Sequence, residues 1–298
     1  MITKKYYKLV KVSYEDSGYF YVENISNQTG TFTMKSPYND FTLHYGEYST
    51  DGVNWITPQL EGGEYLELSV PAGGRVYLKG DNDYYMDQQY RPTINMDVDH
   101  IAGGNAMSLL DKTNFATKTT INYGNALALL FKNDTHLVSA EKLILPATAL
   151  AEYCYDSMFY GCTSLTSAPE LPAVTLANYC YKEMFRGCTS LTKAPSALPA
   201  TTVPMYSYSR MFQGCTALTT APELGFTTVS NYGCNFTFMS CSNLISVKIT
   251  DTDWDTSTCS DWLNGVAASG TIYAPTGSDI ANYSGTSGVP SGWTVVYY

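Results

Sequence analysis

The sequence is short of charge. Lys and Arg together number 17 and Asp and Glu 27, so charged residues are 15% of the 298 and the net charge is −10. Nucleic acid and anionic membrane surfaces both call for clustered Lys and Arg, so neither is an expected partner. Histidine is scarcer still: the three, His44, His100 and His136, lie in different segments. No G-x-S-x-G, H-E-x-x-H or phosphate-cradling glycine loop occurs, so no catalytic residue and no cofactor is expected. No run approaches the ~18 apolar residues of a membrane helix. The N-terminus, MITKKYYKLVKVSYEDSG, is basic but has no apolar core or small-residue cleavage site of an export signal, which leads to an expectation of cytoplasmic synthesis.

What is abundant is tyrosine (26) and glycine (23), a composition tilted toward strands and turns. Short runs at 19–25 (YFYVENI), 31–36 (TFTMKS), 41–46 (FTLHYG), 64–70 (EYLELSV) and 75–80 (RVYLKG), several of them alternating, stand between turn signals such as Asp51-Gly52 and Pro71-Ala72-Gly73-Gly74. Residues 1–92 are therefore expected to form a β-sandwich. Residues 93–125 are assigned to a linker and N-terminal cap, in which GGNAMSLL (103–110) opens a short helix.

From about residue 126 a repeat takes over. MFYGCTSLTSAP (158–169) returns as MFRGCTSLTKAP (184–195) and MFQGCTALTTAP (211–222), and Phe131, Phe159, Phe185, Phe212 and Phe238 are 28, 26, 27 and 26 residues apart. That period falls within the roughly 20–29 residues of leucine-rich repeats. Within a unit, YCYKEMFRG (179–187) reads as a short helix ended by Gly187, LTKAP (191–195) as a short strand, and LPA as the turn to the next unit. The copies at 130–141 and 237–248 are degenerate, as solenoid ends need to be. The repeats are placed at 126–250 and a C-terminal cap at 251–298. The expected fold class is thus mixed β and α/β: a sandwich, a short leucine-rich-repeat solenoid and a cap.

Comparing the copies separates inside from outside. Leu165, Leu191, Leu218 and Leu244 hold one residue type, as do Met158, Met184 and Met211, and are expected in the core. Three columns vary freely, and their positions, four apart, form one stripe. It comprises Glu152, Asp156 and Tyr160; Asn178, Lys182 and Arg186; and Met205, Ser209 and Gln213. This stripe is the candidate partner-binding surface. The eight cysteines are expected to be free, buried thiols: Cys162, Cys188, Cys215 and Cys241 share one column, which a packing layer explains better than pairing does. Tyr153, Tyr179, Tyr206 and Tyr232 form a complete column, expected to stack on itself along the solenoid rather than to bind sugar rings. Asp251, Asp253 and Asp255 begin like a calcium loop, but Thr256 and Trp262 stand where glycine and glutamate belong, so an acidic, solvated loop is expected. Asp97, Asp99 and His100 have no second histidine nearby, and no metal is assigned to them.

The repeat MF-x-GCTSLT-x-AP, followed by LPA and TLA elements, resembles the BspA-like leucine-rich repeat proteins of gut Bacteroidales and their phages. GNAMSLL (104–110), WLNGVAASGTIYAP (262–275), SGVPSGWTVVYY (287–298), STDGVNW (49–55) and VPAGGRVYLKG (70–80) also resemble segments of that family. The resemblance implies a fold and a surface-binding habit without a catalytic mechanism. Combined with the missing export signal, it leads to an expected phage virion component: a head or tail fibre, or a capsid decoration protein. The implied partners are its own subunits, by analogy a homotrimer, then capsid or tail proteins, and glycan or protein on a bacterial surface. The alternative is a bacterial cell-surface adhesin, located outside the cell rather than in a virion.

Overall fold

The computed structural model describes residues 18–35, 46–58, 65–81 and 93–298. The described residues of the N-terminal part form seven strands: β1 (Phe20–Asn24), β2 (Gly30–Lys35), β3 (Gly46–Ser49), β4 (Leu66–Val70), β5 (Arg75–Gly80), β6 (Thr93–Met96) and β7 (His100–Asn105). They form two sheets. One runs β3-β5-β1-β7 and the other β4-β2-β6, with every pairing antiparallel. The alternation seen in the sequence becomes alternate burial, as in β4, where Leu66, Leu68 and Val70 are buried and Glu67 and Ser69 are partly exposed. Phe20 and Val22 from one sheet and Phe32 and Met34 from the other belong to a single apolar core. The strand expected over 41–46 lies, apart from Gly46, outside the described residues.

The expected boundary at residue 92 needs correction. β6 and β7, assigned to a linker, are integral to the two sheets, pairing with β2 and β1 respectively. The helix expected to open in GGNAMSLL is a single 3-10 turn, Ala106–Leu109, whose first turn is capped by Asn105 accepting from the Met107 N–H. Gly104 before it has φ +73, and a side chain there would collide with the Tyr19 carbonyl.

β7 also joins the two halves of the molecule. On its far side it pairs in parallel with β8 (Leu137–Ile144), the first long strand of the repeat region. That region is a β-solenoid of about four turns. Its coils meet through short parallel pairs: β9 (Ala197–Leu198) with β11 (Glu223–Leu224), and β10 (Thr202–Val203) with β12 (Thr228–Val229). Single bridges link Ser139, Ser167 and Lys193. β13 (Ser246–Lys248), β14 (Gly270–Ala274) and β15 (Trp293–Tyr297) end the chain as a parallel sheet. The segment read as a cap thus continues the stacking: the Phe238 N–H donates to the Trp262 carbonyl, and the Trp262 ring meets Phe238 edge-on.

The helix expected over 179–187 does not form. The chain is mostly β with almost no helix, and 3-10 turns at 106–109 and 280–282 are the only helices among the described residues. The segments before each Cys are ribbons of turns whose N–H groups alternate in direction. Tyr155, Ser157 and Phe159 donate to Cys180, Lys182 and Met184 on the next coil, while Asp156, Met158 and Tyr160 donate back three residues. Every fourth residue is left-handed: Tyr153, Ser157 and Gly161 have φ of 56, 54 and 73°. Gly187 was expected in that conformation, but Tyr179 and Glu183 share it. Each non-glycine residue there costs on the order of 1 kcal/mol, so the coil-to-coil hydrogen bonds must hold the ribbon open. Burial follows the same period of four: Cys154, Tyr155, Met158, Phe159 and Cys162 point inward. A period of four lies so near 3.6 that the pattern imitates an amphipathic helix.

Candidate functional site

The inward residues form continuous columns. Phe131, Phe159, Phe185, Phe212 and Phe238 stack with centroids 5.5, 5.3, 5.3 and 5.4 Å apart, nearly parallel. Beside them Tyr155, Tyr181 and Tyr208 stack fully buried, and the hydroxyls of Tyr155 and Tyr208 have no hydrogen-bond partner among the described residues. All eight cysteines are unpaired and buried. They are more than apolar filler: the thiols of Cys162, Cys188, Cys215 and Cys241 donate to the carbonyls of Phe131, Phe159, Phe185 and Phe212, at 3.0 to 3.1 Å. Burial pushes the Cys162, Cys188 and Cys215 thiols well above the usual range, and Cys180 and Cys241 up to about 12. Such thiols are poor nucleophiles.

The outward face carries a second tyrosine column. Tyr153, Tyr179, Tyr206 and Tyr232 stack with centroids 4.5, 5.0 and 5.1 Å apart and planes within 14°. Each inner ring has both faces covered by its neighbours, so the ladder offers edges and hydroxyls rather than open faces to a sugar. Burial, with Tyr179 and Glu152 alongside, holds the Tyr153 phenol above its ordinary value. Tyr232, at the far end, is 48% exposed.

The variable residues flank this ladder and engage one another along the solenoid axis. The Asn178 amide donates to Glu152 at 3.2 Å, and the Tyr179 hydroxyl lies 3.9 Å from the Met205 sulfur. The Arg186 guanidinium sits 5.4 Å from the Tyr160 ring centre and pairs with Glu183 at 3.0 Å. Gln213 donates to the Met239 sulfur at 3.4 Å. Glu152 and Met205 are exposed, while Asp156, Tyr160, Asn178, Lys182, Arg186 and Gln213 are partly exposed. Ser209 departs from the expected stripe. It is 1% exposed, so of the stripe's three positions on the third coil only Met205 and Gln213 reach the surface.

The residues weighed for metal binding do not converge. The Asp251 side chain is buried and accepts the Asp253 N–H, while Asp255 accepts from the Ser257 backbone and hydroxyl. These carboxylates tie their own turns. Burial, reinforced by Asp253 and Asp279, raises the Asp251 carboxyl. Asp97 accepts the Thr31 N–H, while His100 turns inward with its ring 3.0 Å from Asp134. Among the described residues, no three of His, Cys, Asp and Glu gather as a metal would need. No described helix is long and apolar enough to cross a membrane. His44 lies outside the described residues.

Asp134 itself escaped the reading of the sequence. Its signal was local: in Asn133-Asp134-Thr135-His136-Leu137, one carboxylate oxygen accepts the N–H groups of His136 and Leu137, the pattern of an Asx turn. Comparison with family models, curated proteins and solved structures returns no match.

Proposed function

We propose that this protein is a non-enzymatic structural and binding protein whose solenoid face, centred on the outer tyrosine ladder, engages a partner on a bacterial surface. The supporting observation is the contrast across that face. The ladder is tyrosine on four successive coils, while the side chains beside it change from Glu152 to Asn178 to Met205 and from Asp156 to Lys182. Packing does not require such change, so solvent or a ligand is what those positions meet. A rigid ribbon with changing polar groups at about 5 Å intervals suits an extended glycan or a protein edge, contacted by hydroxyls and amides.

The setting we favour is a phage virion, with the repeats being of the BspA-like leucine-rich type. In this reading the two N-terminal sheets pack as a β-sandwich that attaches to a capsid or tail protein, and the solenoid faces outward. Mass spectrometry of purified particles tests it: the chain is expected among the structural proteins. Its absence from particles, together with its presence on the surface of a producing bacterium, would return the function to a cell-surface adhesin. For the face itself, binding of fluorescent protein to host cells is expected to fall at least tenfold with Lys182→Glu and Arg186→Glu together. Unchanged binding would remove this face from the proposal.

A further inference from the structure

The buried tyrosine column gives way to two cysteines. Along the solenoid, a residue whose N–H crosses to the next coil lies against the residue after its acceptor. Tyr155 donates to the Cys180 carbonyl and stacks on Tyr181, and Phe185 donates to the Met211 carbonyl and stacks on Phe212. By the same register Tyr208, which donates to the Gly233 carbonyl, lies against Cys234. Cys234 in turn donates to the Thr258 carbonyl at 3.1 Å and lies against Cys259. These two residues are 2% and 1% exposed. Neighbouring coils run about one strand spacing apart, ~4.8 Å. That falls within the roughly 4.4–6.8 Å between Cα atoms that a disulfide requires.

Other cysteines are neighbours along a column too, but their thiols are engaged elsewhere. Those of Cys162, Cys188, Cys215 and Cys241 donate to phenylalanine carbonyls on the preceding coil, and Cys180 meets the Ser207 hydroxyl. The Cys234 thiol instead shares a hydrogen bond with that of Cys259, whose sulfur also accepts from the Thr258 hydroxyl at 3.8 Å. We infer that Cys234 and Cys259 form a redox site, at which a small-molecule disulfide of the glutathione type converts the two thiols into a disulfide that clasps the last repeat coil to the coil after it. One protein thiolate attacks a sulfur of the small disulfide, whose S–S bond breaks and releases a first small thiol. The second protein thiolate attacks the protein sulfur of that mixed disulfide and releases the second. Two electrons and two protons thus leave the cysteine pair for the small disulfide. Burial, with Cys259 and Asp251 alongside, holds the Cys234 thiol well above the usual range, so the closed fold shields the pair. Reaction proceeds through transient opening of these coils. The inference does not depend on the ligand or the virion setting.

Thiol counting on the full chain tests it. The reduced protein, freed of reductant, is incubated with millimolar glutathione disulfide, then denatured and alkylated. The count is expected to fall by two from the eight free thiols, and peptide mass spectrometry is expected to find Cys234 joined to Cys259. The loss is expected to speed up in urea below the unfolding range, because opening limits the rate. Linked protein is expected to melt at least about 4 °C above the reduced form. Cys234→Ser and Cys259→Ser are each expected to keep all their remaining thiols under the same treatment, while Cys154→Ser, in the neighbouring column, still loses two. The peptide map of the parent chain decides the matter if a serine variant fails to fold. An unchanged count of eight, a link between other cysteines such as Cys154 and Cys180, glutathione left on one sulfur of the pair, or a linked form that melts no higher than the reduced one overturns the inference.

Discussion

The imidazole Nε2 of His100 lies 3.0 Å from the carboxylate Oδ2 of Asp134, and neither side chain reaches solvent. The other ring nitrogen, Nδ1, is 2.9 Å from the Val98 carbonyl, which can only accept, so Nδ1 carries a proton. Nε2 and Oδ2 meet at ion-pair distance, without the geometry of a hydrogen bond. The pair spans the junction: His100 opens β7 of the N-terminal sheet, and Asp134 orders the entry to β8 of the solenoid through the His136 and Leu137 N–H groups.

Asp134→Ala is therefore expected to be among the most damaging single changes. It strands His100 and two N–H groups at once, and removing one partner of a buried pair costs about 3–5 kcal/mol. Asp134→Asn keeps an acceptor for the two N–H groups and is expected to lose less than half as much. Chemical denaturation of the three proteins checks the ranking. Equal stability of the alanine variant and the parent would mean that the junction does not rest on this pair.

The cysteine columns make a prediction in two parts. Native protein is expected to react slowly with a thiol reagent, and all eight cysteines are expected to label after denaturation without reductant. Cys188→Ser keeps a donor for the Phe159 carbonyl, which the thiol meets at 3.1 Å. Cys188→Ala removes the donor and opens space, so serine is expected to be the milder change by about 1 kcal/mol. If alanine proves the more stable, the thiol-to-carbonyl bond contributes nothing.

Much of this architecture was legible in the sequence, and the gaps have physical causes. The Phe, Leu and Cys columns could be aligned by eye because each coil must offer the same shape to the next. Tyr153, Tyr179, Tyr206 and Tyr232 do stack on one another, as a complete column implies. The helix misreading over 179–187 arose because burial at Cys180, Tyr181, Met184, Phe185 and Cys188 has a period of four, while the signal that decides the backbone, left-handed Tyr179 and Glu183, is invisible in residue type. Ser209 was placed outside with its column, and only the packing of its own coil shows it buried. The His100–Asp134 pair was hidden because its partners are 34 positions apart and belong to different halves of the fold.

Asp251 carries a pH prediction. Its carboxyl is raised by burial and by Asp253 and Asp279, so the folded form holds its proton to a higher pH than the unfolded chain does. Its contribution is fully present below the unfolded value and is lost as pH rises through the folded one. Asp251→Asn retains an oxygen for the Asp253 N–H and removes the titration. The variant is expected to gain stability relative to the parent as pH climbs above about 4, with the gain level by neutrality. Thermal melts of both proteins from pH 3 to 8 read the difference, and a constant gap across that range would show that Asp251 has no raised carboxyl.

The two tyrosine ladders should respond oppositely to loss of a hydroxyl or a ring. Tyr208 is fully buried and its hydroxyl has no partner among the described residues, so Tyr208→Phe removes an uncompensated polar group and is expected to be neutral or stabilising by up to about 1 kcal/mol. Tyr206, on the outer ladder, stacks on Tyr179 at 5.0 Å and on Tyr232 at 5.1 Å. Tyr206→Ala breaks both contacts and is expected to cost about 1–3 kcal/mol, taking 0.5–1.5 for each ring pair. Lys182→Glu, beside the ladder but outside any stack, is expected to change stability by no more than about 0.5 kcal/mol. This ordering separates the scaffold from the surface it presents. If Lys182→Glu unfolds the chain while Tyr206→Ala does not, the ladder is not what orders this face, and the assignment of the variable positions to a partner fails with it.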